Sequence, residues 1–370
     1  MRIAHLTSVH SSNDNRIFYK ECTTLQGNGF EVFLVAAGAE SDVINGVSIV
    51  GYNKESGNRI KRMFKTSFMD MLYQAKKIDA DIYHFHDPEL IFVGLSLKFL
   101  GKKVIYDIHE NNPASILSKP YIKSKLFKYL LSIVFNILEQ FSVKFFDAIV
   151  TARPDISNRF RHKKLVTLRN FPMLPDFSKL KNIDIEKLKP AIIYVGGISS
   201  IRGITELLDA FETLDEYELW LLGPLNDPIL ESRINSGCRN VKYFGVVEPF
   251  EIFSYIQKAD VGIVTFLDAP NHVTTLATKP FEYMACGIPM IMSDFEYWRD
   301  TFGDSSLYVD PSNINKIREV IVKLISNQEL MSGMGRLNKN LTDEVYNWDK
   351  ESQKLIKIYD SFSKEGNHKM

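Results

Sequence analysis

Cysteine is scarce in this chain. Only Cys22, Cys238 and Cys286 occur among 370 residues, and none sits at CxxC spacing. That leaves no disulfide framework and no zinc motif, and it fits a reducing cytoplasm. A run of 18 uncharged apolar residues is also missing. The nearest stretch, 129–141, is interrupted by Asn136 and Glu139, so no membrane-spanning helix is expected. The first residues, Met1 to His5, read as the start of a strand rather than a signal peptide. There is no arginine-rich arm or nucleic-acid module, which sets nucleic acid aside as a partner. The first strand-to-helix loop, 8–15, contains no glycine. Gly27 and Gly29 end a helix instead of opening one, so a dinucleotide fingerprint is absent and a nicotinamide dehydrogenase is disfavoured.

Net charge is zero, but it is divided unevenly. Residues 1–170 carry 24 Lys and Arg against 16 Asp and Glu, a surplus of 8; the rest carry 21 against 29, a deficit of 8. A basic first half suits an anionic surface or a phosphate-bearing ligand. With 45% hydrophobic residues the chain can bury two cores, and its length suits two domains.

The first half alternates strands and helices. Strands are expected at 2–7, 31–36 and near 47–51, with a helix over 16–26, which is the β-α-β order of a parallel sheet. Residues 58–77 form a basic amphipathic segment: Arg59, Lys61, Arg62, Lys65, Lys76 and Lys77 stand among Met63, Phe64, Phe68 and Tyr73. Such a helix can lie on an anionic bilayer, or it can be an ordinary domain helix with snorkelling lysines. Residues 119–146 form a long helical region open to the same two readings. The strand at 81–85 ends in His84, His86, Asp87 and Glu89, a helix follows over 89–100, and the strand at 103–108 ends in His109-Glu110-Asn111. Ligands of open parallel sheets bind beyond the carboxyl ends of strands, which places His86 and His109 for chemistry. Either could also be held structurally within its loop. Irregular ligand spacing disfavours a metal site there. Residues 170–189, with Pro172 and Pro175, read as a linker.

The second half repeats the alternation. A strand at 191–195 runs into Gly196-Gly197, and Arg202-Gly203 opens a helix. Bare glycine backbone, a helix amino terminus and a guanidinium together form a phosphate cradle. Later, Lys279 and Glu282 stand one helical turn apart, followed by Ala285, Cys286 and Gly287; the glycine can end the helix in a left-handed conformation. An acid and a base at this place suit a ligand with hydroxyls and phosphates, although a chance surface pair reads the same way.

Three groups of residues resemble the retaining, glycogen-synthase-like family four of GT-B glycosyltransferases, of the bacterial surface-polysaccharide type. They are Lys279 with the stretch 281–289; 194–198 with Arg202 and Gly203; and 16–21 with 84–89 and 106–111. The resemblance covers nearly the whole chain. It implies two Rossmann-like parallel-sheet domains facing across a cleft: 1–170 for the acceptor, 171–345 for the nucleotide sugar, and a helix over 346–370 crossing back to the first. It implies transfer of a sugar from a UDP- or GDP-sugar to a polysaccharide or lipid-linked oligosaccharide, with retention. The enzyme would be cytoplasmic, or peripheral at the inner face of the cell membrane, where an anionic membrane surface is a further partner.

By the same resemblance Glu282 bonds the ribose hydroxyls, as a carboxylate can accept from both. Arg202 and Lys279 neutralise the departing diphosphate. Gly196 and Gly197 line it, Gly245 and Val246 meet the base, and Asn170 is a further donor contact. His109 faces the donor sugar, while Arg16, His86, Asp87 and Glu110 are acceptor-side candidates. Two positions depart from the pattern. Thr274 stands where the family often has a first glutamate, and Gly197 and Arg202 stand where it has Arg and Lys. No Asp-x-Asp occurs at a strand end, so neither a metal ion nor another cofactor is expected. A non-catalytic nucleotide-sugar-binding scaffold and a sugar-nucleotide epimerase of the same fold are the alternatives.

Overall fold

The computed structural model describes residues 1–55, 59–119, 122–236, 239–248 and 250–367. Asn58, the side chains of Arg59 and Lys61, and Cys238 lie outside the described residues. The chain divides into two compact units, one of residues 1–170 with 349–370 and the other of 171–348.

The first unit holds β1 (Arg2–Thr7), β2 (Glu31–Ala37), β3 (Asp42–Ile44), β4 (Val47–Tyr52), β5 (Ile82–Phe85), β6 (Lys103–Ile108), β7 (Ala148–Thr151) and β8 (Leu165–Thr167). They form one sheet in the order β3-β4-β2-β1-β5-β6-β7-β8, parallel except for β3 against β4. Strand side chains alternate between faces, and here the two faces differ in chemistry. Ala4, Leu6, Tyr83, Phe85, Val104, Tyr106 and Ile108 enter one apolar core. The intervening residues His5, His84 and Asp107 point to the other face and are fully buried. Parallel register sets His5 beside His84.

Several elements differ from expectation for local reasons. The expected helix over 16–26 begins as a π-turn, Ile17–Cys22, with Glu21 N donating to Arg16 O at 3.0 Å; only Thr23–Gly27 is α-helical. The basic segment likewise carries a π-turn, Lys65–Asp70, between two α-helical pieces. Within 119–146 the helix is Lys125–Ser142, capped by Ser124, and a separate helix, Asn112–Ser118, precedes it. Asn111 caps that earlier helix and Pro113 fits its first turn. The unforeseen strand β3 joins β4 through Asn45-Gly46, both at positive φ, the pair that a tight hairpin turn requires.

The second unit holds β9 (Ala191–Val195), β10 (Glu218–Leu222), β11 (Val241–Tyr243), β12 (Val261–Val264), β13 (Met290–Ser293) and β14 (Leu307–Val309), all parallel in the order β11-β10-β9-β12-β13-β14. Ile192, Tyr194, Leu219, Leu221 and Ile263 pack on one face, and Ile193, Val195, Trp220, Leu222 and Met290 on the other. Both faces are covered, which accounts for the nearly unbroken apolar strands. After β14 come two helices, Ile314–Ile325 and Gln328–Glu344, the second capped by Asn327.

Candidate functional site

In the second unit three glycines meet at the carboxyl ends of β9, β10 and β11. Gly223 N donates to Gly245 O at 2.8 Å, and Gly196 N donates to Leu222 O at 2.8 Å. All three have positive φ: 144° at Gly196, 138° at Gly223 and 73° at Gly245. A Cβ on Gly223 would lie 2.1 Å from Gly196 O, so only glycine lets these backbones touch. Arg202 closes over this shelf. Its Nη1 donates to Gly197 O at 3.3 Å, and its guanidinium lies 5.6 Å from the centre of the Phe266 ring. Tyr194 steadies the same carbonyl, donating to Gly197 O at 3.0 Å, and burial keeps its phenol protonated by pushing its pKa to about 12. Gly203 follows at φ 73°, where a Cβ would lie 1.8 Å from Thr265 O. The result is a partly exposed glycine surface, with Gly196 N and Gly223 N bonded within it and the Arg202 guanidinium above it, a cation that suits phosphate oxygens.

Lys279 and Glu282 lie on a short helix, Lys279–Ala285, and pair directly, Nζ to Oε1 at 3.0 Å. Gly287, at φ 68°, ends that helix in the left-handed region as its sequence suggests. Tyr283, next to Glu282, packs against Gly262, where a Cβ would be 2.3 Å from its ring. Its hydroxyl accepts from Val195 N at 3.0 Å, which fixes the helix against the end of β9. Val246 is 71% exposed next to the glycine shelf. Thr274 caps the carboxyl end of a short turn, Pro270–Val273.

The first unit carries a buried polar layer that the sequence showed only in pieces. Asp107 Oδ2 lies 2.8 Å from His109 Nε2, 3.3 Å from His86 Nδ1 and 3.0 Å from Arg16 Nε, and Asp107 Oδ1 accepts from Arg16 Nη2 at 3.0 Å. Burial opposes ionisation of Asp107, but Arg16 and then His109 outweigh it and hold the carboxyl well below its usual range. Asp107 is therefore a pure acceptor, and a definite chain of tautomers follows. His86 donates from Nδ1 to Asp107 and accepts at Nε2 from His5 Nδ1, 2.9 Å away. His5 Nε2 then accepts from Tyr359 Oη at 3.4 Å, and Tyr359 Oη accepts from His84 Nδ1 at 2.8 Å. All three rings are neutral: burial pushes His5 and His84 well down, and takes His86 to about 4 despite Asp107. Glu21 lies 3.1 Å from Arg16 Nε, and burial followed by the nearby Asp107 raises its pKa well above the usual value.

The structure thus joins Arg16, His86 and His109 around Asp107, a residue not singled out by the sequence. Arg16 is buried and also donates to Leu168 O at 2.8 Å. Asp87 is committed to the loop after β1, accepting from Ser8 N at 2.6 Å and Thr7 Oγ1 at 2.9 Å. Asn170 Oδ1 accepts from Lys20 Nζ at 2.6 Å. Glu110 is exposed. Sequence parity could have pointed to Asp107, which stands two residues before His109 on one face of β6, as His84 stands before His86. Tyr359 is 275 residues from its partner His84, and no local pattern joins them. Two groups have the spacing to hold a metal ion, His5-Glu21-His84-His86 and His86-Asp107-His109. The hydrogen bonds above already use both ring nitrogens of His5 and His86, whereas His84 Nε2 is buried without a hydrogen-bond partner.

Residues 15–170 match a family model described as Glycosyltransferase Family 4, and residues 189–327 match one described as Glycosyl transferases group 1. Glycosyltransferase MJ1178 of Methanocaldococcus jannaschii is 24% identical over 174 residues, 46% of this chain and 48% of that protein, so this match spans about half of the relative's length. Glycosyltransferase MJ1069 of the same organism is 22% identical over 325 residues, 81% of this chain and 80% of that protein. Among solved structures, sucrose-phosphate synthase of Thermosynechococcus elongatus superposes with a TM-score of 0.73 at 15% identity, covering 98% of this chain and 99% of that one. Anabaena HepE in complex with UDP gives 0.70 at 11% identity, covering 98% and 100%. The two parallel-sheet units are those of the GT-B glycosyltransferase fold, and the matched domains support a transferase of the family-four type.

Proposed function

We propose that this pair of glycosyltransferase domains moves a sugar from a nucleotide diphosphate sugar to a polysaccharide or lipid-linked oligosaccharide acceptor, retaining the anomeric configuration and using no metal ion in the chemistry. The observation that carries the reading is the glycine shelf at the ends of β9–β11 with Arg202 over it. It offers a side-chain-free glycine surface and a guanidinium where a diphosphate needs them. Arg202 and Lys279 stabilise the charge that develops on the leaving diphosphate. Glu282, nearly buried and paired with Lys279, accepts from the ribose hydroxyls. The Anabaena structure bound to UDP supports a uridine nucleotide for that relative; for this chain the base is part of the proposal. In the first unit His109 donates its Nε2 proton to Asp107, which leaves Nδ1 as the atom that orients a sugar hydroxyl or stabilises an oxocarbenium-like centre.

The proposal includes a peripheral position on an anionic membrane at its cytoplasmic face, where lipid-linked acceptors reside. Among the described residues no helix is long and apolar enough to cross a membrane. Helix Lys125–Ser142 instead exposes an apolar stripe: Leu126, Leu130, Val134, Ile137 and Phe141 are each more than half exposed. Its one acid, Glu139, is buried against Arg159, while Lys125 and Lys128 are not paired with it. An exposed apolar face edged by lysines suits an anionic interface.

A panel of UDP- and GDP-sugars, supplied with lipid-linked oligosaccharide, tests the reading. Sugar appearing in the lipid fraction is expected. Binding without transfer or hydrolysis would indicate a scaffold, and an isomerised donor formed without acceptor would indicate an epimerase.

A further inference from the structure

We propose that the first unit has a second anion site, for a phosphate-bearing ligand, at the amino-terminal edge of its sheet. This edge is opposite the strand ends that bear His86 and His109. The strands β6, β7 and β8 begin there, and between them and the end of helix Lys125–Ser142 lies a cavity of about 490 Å³.

Five cationic side chains line the cavity, Lys103, Lys144, Arg161, Lys163 and Lys164, against the single carboxylate of Asp147. Asp147 is already committed. It accepts from Lys98 Nζ at 2.6 Å and Val104 N at 2.7 Å, and lies 3.4 Å from Lys103 Nζ. Lys164 donates to Ser361 Oγ at 3.2 Å, and its Nζ lies 4.4 Å from the centre of the Phe362 ring. Lys144, Arg161 and Lys163 are exposed, and among the described residues no acid pairs with them. Three unpaired like charges around a concavity do not stabilise a fold; they concentrate anions. The loop that carries Arg161 and Lys163 is anchored. His162 donates from Nε2 to Phe146 O at 3.0 Å and accepts at Nδ1 from Lys164 N at 3.1 Å. Arg161 supplies a planar fork and the lysines supply point charges, a combination that fits phosphate oxygens.

Two sources offer this chemistry, a phospholipid headgroup and a soluble phosphate ester. The apolar stripe runs into the cavity: Phe141 and Phe145 are 57% and 45% exposed, and Lys144 and Phe146 line the cavity itself. That continuity favours the headgroup. Only this choice of source rests on the peripheral-membrane reading; the anion site does not.

The test combines two measurements on the full chain. The first is protection of Lys144 and Lys163 from acetylation, read by mass spectrometry. The probes are phosphatidylcholine vesicles with and without phosphatidylglycerol, and inorganic pyrophosphate. The second is partition of the Arg161→Gln/Lys163→Gln variant into the anionic vesicles. We expect anionic vesicles alone among the vesicles to protect both lysines. The variant should partition about 30-fold less, since each basic residue near an anionic surface contributes about fivefold, or about 1 kcal/mol. Its transfer to a soluble acceptor should be unchanged. Protection by pyrophosphate with none by vesicles would keep the anion site, reject the headgroup and count against the membrane reading. The proposal is overturned if neither probe protects the lysines, or if the variant partitions like the parent while pyrophosphate also fails to protect.

Discussion

Replacing Tyr359 by Phe removes one oxygen from the middle of the buried polar layer and leaves the ring. Tyr359 is fully buried, so no solvent can replace the lost hydroxyl. Two imidazole nitrogens lose a partner: His84 Nδ1, which donates at 2.8 Å, and His5 Nε2, which accepts at 3.4 Å. A buried donor left unpaired costs about 1–3 kcal/mol, and the longer contact adds a few tenths. No cavity term is added, because phenylalanine fills the same volume apart from the oxygen. The sum is about 2 kcal/mol. For a unit of this size that corresponds to a fall in Tm of about 4–8 °C. The variant should also disturb histidine tautomers, because Tyr359 links His84 to His5. Nitrogen chemical shifts should show protonated Nδ1 on His5, His84 and His86 in the parent, and a changed state at His84 and His5 in the variant. An unchanged Tm with unchanged shifts would refute the continuous chain from Tyr359 to Asp107.

Gly203→Ala forces a left-handed backbone that costs alanine about 1–2 kcal/mol, and its Cβ meets Thr265 O; denaturant unfolding should show at least that loss, and calorimetry should show weaker binding of whichever of UDP and GDP the parent binds. Stability should also fall as pH drops from 6.5 to 4.5. His86 is held neutral down to about 4, below the ordinary 6.5, so over that interval the unfolded chain binds a proton that the fold refuses. Integrated down to pH 4, His86 alone accounts for about 3 kcal/mol, and His5 and His84, also pushed down, act in the same direction. Glu21 and His10 oppose them, since their raised pKa values make the fold take a proton first. The three buried histidines are expected to prevail, and an unfolding midpoint that is flat or rising toward pH 4.5 would contradict the neutral-histidine layer.

Strands such as β1 and β9 were legible because each is a short apolar run bounded by glycine, proline or charge. β9 (Ala191–Val195), between Pro190 and Gly196, is a case where the expected and the observed strand coincide. The phosphate shelf was half visible. Gly196, Gly197 and Arg202 are neighbours in sequence, but Gly223 enters only through a contact with Gly196 O, which folding creates. β3 escaped because its residues are exposed and do not alternate, although Asn45-Gly46 announces the turn beside it. The π-turn at Ile17–Cys22 has no distinct residue code; it bears Glu21, and Arg16 beside it reaches Asp107, 91 positions away. His5, His84, Asp107 and Tyr359 looked like separate polar residues in apolar surroundings. Their meaning lies in parallel register and in the return of residues 349–370 to the first unit, neither of which shows in local periodicity.

The central claim is that the second unit grips a nucleotide diphosphate through Arg202, Lys279 and Glu282. Calorimetric titration of UDP and GDP into the parent, Arg202→Met and Glu282→Ala tests it most directly. The account predicts that one of the two nucleotides binds the parent and that each variant weakens it at least tenfold, which is about 1.4 kcal/mol, with the fold unchanged by circular dichroism. It would be contradicted by a parent that binds neither nucleotide, or by variants that bind as tightly as the parent.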